Sequence, residues 1–169
     1  WLSDVLRAGT GRSDASWLRL AYDAENEAAL LALNAEALAF APALSRRREA
    51  ERQGAAFAKT VRAVWDLDVP DVALPLAVGA SAHRQGLDLE MVVPLYLQAV
   101  ESNLINAAQR LMPLGQTEAQ RVLAAVQPLC QAVAQGTEGA QLDDVESHAF
   151  LSDIAAMRHE TLEPRLFQS

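Results

Sequence analysis

Apolar residues recur along this chain at spacings of three and four, and no stretch alternates convincingly with period two. That pattern predicts amphipathic helices rather than strands. Sparse Gly and Pro punctuation divides it into segments of helical length. Residues 1–8 read as the inside of a helix, which Gly9-Thr10-Gly11 ends. Asp14 is placed to cap a helix running to about Tyr22, with Trp17, Leu18 and Ala21 on one face. Asp23 or Asn26 opens the next, to about Phe40, and Pro42 marks its boundary. Ser45 opens a long helix over about 46–65, in which Ala50, Gly54, Phe57, Ala58, Val61 and Trp65 share a face. Glycine at position 54 costs about 1 kcal/mol relative to alanine. A second backbone passing close by would account for it.

Asp66 to Pro70 form a turn, Asp71 caps a helix to about Gln85, and Gly86 ends it. Asp88 caps a helix over about 89–112. Its first half is apolar nearly all round, which predicts burial at the centre of the fold. Its second half is two-sided, with Leu104, Ala108 and Leu111 on one face and Gln98, Ser102, Asn106 and Gln109 on another. Pro113 and Gly115 close it. Thr117-Glu118-Ala119-Gln120 has the form of a capping box and opens a helix to about Ala134. Gly136 to Gln141 form a loop, and a last helix over about 143–158 leads into the C-terminal segment. The predicted architecture is all-α, a single-domain bundle of about seven or eight helices over residues 1–157, followed by a docking tail over 158–169.

Composition sharpens this picture. Hydrophobic residues make up 51% of the chain but aromatics only 5%, so alanine and leucine fill the core, as helices favour. A formal net charge of -8 repels phosphate backbones and argues against a nucleic-acid partner. The local exception is Arg46-Arg47-Arg48, which reads as a solvated helix face or as a contact for an acidic protein. Cys130 is the single cysteine and sits in an apolar run as a small core residue. It fits a reducing compartment, and a cytoplasmic location is expected. No apolar run is long enough for a membrane span. The chain opens on Trp1 inside a helical pattern, so its natural start is expected to lie upstream.

Candidate chemistry is thin. No two of His83, His148 and His159 are three or four residues apart, so no local metal pair exists. Ser147, His148 and Asp153 form the least implausible nucleophile-base-acid trio, but no strand-turn-helix elbow accompanies them. Gly9-Thr10-Gly11 lacks the lysine and the preceding strand of a phosphate loop. Asn103, Asn106 and Arg110 share a helix sector beside the Leu114-Gly115-Gln116 turn. They read equally as exposed polar surface or as a recognition strip. The last residues, from Met157 to Ser169, mix two arginines, a histidine, two glutamates and a Leu-Phe pair, a combination suited to docking.

Two of these segments carry a family resemblance. Arg110-Leu111-Met112-Pro113-Leu114-Gly115-Gln116-Thr117, followed by Gln120-Arg121, is similar to a segment of the urease accessory protein UreF family. Met157-Arg158-His159-Glu160-Thr161 and Arg165-Leu166-Phe167-Gln168-Ser169 resemble that family's C-terminus, in order and in distance from the end. Weaker similarity runs through Glu51-Arg52-Gln53-Gly54 and Pro75-Leu76-Ala77-Val78-Gly79. The family's N-terminal Ser-Tyr-Ser and Gly-Leu-Glu motifs have no counterpart here. Leu162-Glu163-Pro164 departs from its usual polar-aromatic spacer, and Pro164 stiffens that stretch and removes a backbone donor.

The resemblance implies a non-enzymatic, all-α scaffold that dimerises and binds the accessory protein UreD/UreH. With that partner it would recruit the GTPase UreG and deliver nickel to apo-urease. The resemblance implies no firmly bound cofactor and no metal ligand in this chain, the nickel being handled by the assembled complex. By the same resemblance Arg158, His159, Glu160, Arg165, Leu166 and Phe167 would meet UreD/UreH. Asn106, Arg110, Gln116, Gln120 and Arg121 would face UreG or the activation complex. Burying Leu166 and Phe167 would each contribute about 1.5–3 kcal/mol before ordering costs. A different class, the all-α ligand-binding domain of a transcription regulator, matches in size, although no basic helix-turn-helix is present.

Overall fold

Trp1 to Leu162 are the residues described by the computed structural model. Helices follow the 3.6-residue pattern: α1 (Leu2–Ala8), α2 (Thr10–Tyr22), α3 (Glu27–Phe40), α4 (Leu44–Trp65), α5 (Leu74–Arg84), α6 (Leu89–Leu111), α7 (Gln116–Gln135) and α8 (Phe150–His159). A single 3-10 turn, Leu142–Asp144, precedes α8, and no strand occurs among the described residues. None of the described helices is long and apolar enough to cross a membrane.

Two predicted caps are in place. Asn26 accepts from the Ala29 N–H at 2.9 Å, and Asp88 accepts from the Glu90 N–H at 2.9 Å. Other helix starts differ from the sequence expectation. α2 begins at Thr10, so Asp14 is inside the helix and serves a tertiary contact instead. α4 begins at Leu44 with Ala43 in the cap position, and the N–H of Ser45 donates to the Glu160 carboxylate at 2.9 Å. α5 begins at Leu74 with Pro75 in its first turn. Asp71 is not its cap and pairs with Arg62 at 2.9 Å. α7 starts at Gln116 without a side-chain cap, so the Thr117 box does not form. The last helix starts at Phe150, not near 143, because the 3-10 turn and an irregular stretch intervene.

Two apolar clusters share α2. One joins Trp17 and Ala21 to Leu30, Ala58, Val61, Val69 and Leu76, from α3, α4, α5 and the α4–α5 connection. The other joins Ala15 and Leu18 to Leu6, Val93, Leu97, Val126 and Cys130, from α1, α6 and α7. The centre of the fold is therefore α2, and not the first half of α6, where Met91 and Leu95 are exposed. Trp65 is also exposed rather than part of the core. Close backbone approaches make this arrangement possible. A Cβ on Gly54 would lie 1.8 Å from the carbonyl oxygen of Val72, and one on Gly79 would lie 2.1 Å from that of Leu18. Glycine is required at both positions because the opposing atoms are backbone.

Candidate functional surfaces

The interior holds polar groups at positions that look apolar in the sequence. Glu101 has no solvent exposure, and neither of its carboxylate oxygens has a hydrogen-bond partner. Desolvation lifts its pKa to about 7. Cys130 lies buried nearby on α7, and burial followed by the charge of Glu101 pushes its thiol up to about 11. It stays a protonated, unreactive thiol at neutral pH. Asp14 is raised to about 6 by desolvation, against the opposing pull of the Tyr96 hydroxyl, which donates to it at 2.7 Å. Burial pushes the Tyr96 phenol well up, and the Asp14 charge adds to it. Arg19 is buried, and its pKa is lowered chiefly by desolvation. It donates to Thr137 Oγ1 at 3.2 Å and to the Ala134 carbonyl at 2.8 Å, and so ties α2 to the C-terminal end of α7. Glu101 stands four residues after buried Leu97 and four before buried Ile105. That spacing was the available signal for its burial, and the sequence reading missed it.

The α6–α7 corner gathers one of the predicted site groups. Asn106, Arg110, Gln116, Gln120 and Arg121 are all exposed there. Gln109 Nε2 donates to Gln116 Oε1 at 3.1 Å and fixes the end of α6 against the start of α7. Leu111 and Met112 are exposed beside them, which gives the corner a mixed apolar and polar surface.

The other predicted group begins on α8. Arg158 and His159 are exposed in its last turn, and Glu160 follows as its C-cap. Arg165, Leu166 and Phe167 lie outside the described residues. α8 itself has no buried residue, and Phe150, Leu151, Ile154 and Met157 all stand open on it. The first of these is 65% and the second 85% exposed, far beyond what packing against the bundle would leave. The helix is held by polar tethers instead. Glu160 accepts from the Ser45 N–H at 2.9 Å, Trp1 Nε1 donates to Ser152 Oγ at 3.0 Å, and the His148 N–H donates to the Ala8 carbonyl. A groove of about 720 Å³ runs between α4 and α8, with Arg46, Arg48 and Arg52 along one side and His159 on the other.

Enzymatic candidates are not assembled. His148 faces Glu146 Oε2 at 3.2 Å rather than Ser147 or Asp153. His83 packs edge-on against Tyr22, with ring centroids 5.2 Å apart. No group of three or more potential metal ligands occurs among the described residues.

Comparison with known proteins gives the same answer from each direction. The family model described as UreF matches residues 1–127. A urease accessory protein UreF of Cereibacter sphaeroides (strain KD131) is 46% identical over 169 residues, covering all of this chain and 79% of its own length. One from Ruegeria pomeroyi is 42% identical, covering all of this chain and 78% of its own length. One from Azorhizobium caulinodans is 40% identical over 181 aligned positions, again with all of this chain and 78% of its own length. These matches take the place of the transcription-regulator alternative: the chain belongs to the UreF family of urease accessory proteins.

Proposed function

We propose that this chain is a non-catalytic scaffold of urease maturation, which binds UreD/UreH through α8 and the segment that follows it. The observation that carries this reading is the state of α8. A helix that buries none of its residues while exposing Phe150, Leu151, Ile154 and Met157 is costly in water unless a partner covers it. Exposed Arg158, in the last turn of α8, supplies charge-assisted bonds at the rim of the stripe. On the same reading the α6–α7 corner receives the GTPase UreG. Arg110 offers a planar fork of donors there, beside Gln116, Gln120 and Arg121. Nickel is the cargo of the assembled complex and not a resident of this chain. The scaffold acts as a homodimer in the cytoplasm.

The test is a pull-down of co-expressed UreD/UreH by the intact chain and by chains lacking 158–169 or carrying Leu151→Ser with Ile154→Ser. Both variants are expected to lose the partner. Undiminished binding by both would sink the assignment. An Arg110→Ala chain should retain UreD/UreH, lose UreG from the complex and fail to support urease activation.

A further inference from the structure

The groove between α4 and α8 carries a charge pattern that the apolar stripe of α8 does not explain. Both carboxylates on its rim are already engaged. Glu49 accepts from Arg46 at 3.4 Å and from Gln53 at 3.2 Å, and Glu160 accepts from the Ser45 N–H at 2.9 Å. Arg46 is thereby paired. Arg47 does not line the groove and is paired with Glu51 at 3.3 Å. Arg48 and Arg52 are exposed and have no carboxylate within ion-pair distance among the described residues. The Nε of Arg52 reaches only the Arg48 carbonyl, at 3.4 Å. A spacing of four residues places the two guanidiniums one turn apart on the same helix face.

We propose that this groove docks an acidic segment of a partner protein, with Arg48 and Arg52 each forking onto one of its carboxylates. The guanidinium fork matches a carboxylate in two parallel bonds, which an ammonium cannot do. His159 stands opposite, and Ala155 and Ala156 line the groove as small side chains that leave room for the segment. A long phosphate polymer or an anionic bilayer is disfavoured as occupant. Each would approach a chain of formal charge -8, whereas a short peptide feels mainly the two local cations. None of Phe150, Leu151, Ile154 and Met157 lines this groove, although His159 and Glu160 border it and belong to the surface proposed above for UreD/UreH.

Fluorescence anisotropy tests this with the full chain at about 50 mM salt, where surface charge is weakly screened. The probe is a fluorescein-labelled dodecapeptide alternating Glu and Ala. Controls are the same peptide with Gln for Glu and a labelled oligothymidylate of equal length. The Glu peptide is expected to bind and the Gln peptide not to. The double variant Arg48→Glu with Arg52→Glu should weaken binding at least about tenfold, while Arg47→Glu changes it less than about twofold. Circular dichroism confirms that the variants are folded. Equal affinity in the double variant overturns the proposal, as does equal binding of the Gln peptide. Oligothymidylate binding as tightly through the same two arginines would make the groove a generic anion site and also overturn it.

Discussion

Replacing Glu101 by Gln should make the protein more stable at pH 8 and leave it almost unchanged at pH 4. The carboxyl is fully buried, with neither oxygen hydrogen-bonded, so the charged form loses its hydration without compensation. Its pKa rises from 4.5 to about 7 in the folded chain. Between those values the native state holds a proton that the unfolded state releases. The associated stability is complete below about pH 4.5, falls as pH rises through the interval, and levels off above about pH 7. At about 1.4 kcal/mol per unit the total loss is about 3 kcal/mol. That is a sizeable part of the 5–15 kcal/mol or so typical of a folded domain.

Gln keeps the shape of the side chain and removes the titration. Urea denaturation followed by circular dichroism at pH 4, 5, 6, 7 and 8 measures the difference between the two chains. Other titrating groups, Asp14 among them, are common to both and cancel. The difference should grow from near zero at pH 4 to about 3 kcal/mol in favour of the variant at pH 8. A difference that does not change with pH would refute the reasoning. A wild type more stable than the variant at pH 8 would do so more directly, since it would mean that the ionised carboxylate has a partner.

Two further predictions concern packing. Gly54→Ala forces a Cβ to within 1.8 Å of a backbone oxygen that cannot rotate away, so α4 must separate from the Val72–Ala73 segment. The cost should be about 3 kcal/mol or more, seen as a fall in Tm of about 6 °C or more by thermal denaturation. Arg19→Met keeps the buried stem and deletes the bonds to Thr137 and Ala134. Because Thr137 Oγ1 still donates toward the Val133 and Ala134 carbonyls, the loss should be limited to about 1–2 kcal/mol in urea.

How much of the molecule was legible depended on whether the determining partner is near in sequence. The helices themselves were legible, because their apolar faces recur within a few residues. So were Asn26 and Asp88 as caps, whose acceptors lie two or three residues from the donors. Gly54 could be recognised as a crossing point, though not which strand of backbone crosses it. Asp14 was misread as a cap because its true partner, Tyr96, is 82 residues away. The start of α4 was misplaced for the same reason, since its donor Ser45 is satisfied by Glu160, 115 residues further on.

The arginine cluster shows how a structure adds function to a pattern that sequence reads correctly but incompletely. Arg46-Arg47-Arg48 is visible as a basic run, and a basic run is ordinarily a solvated face. Helical geometry sorts its members by the residue three or four positions on. Position 46 meets Glu49 and position 47 meets Glu51, while position 48 meets another arginine at 52. Local pairing thus neutralises two of the three and leaves one, joined by Arg52, facing α8. That α8 lies opposite follows from the Glu160 and Trp1 tethers, neither of which local spacing foretells. The charge left unpaired among the described residues is therefore legible in the sequence, but the groove that gives it a use exists only once α4 and α8 have come together.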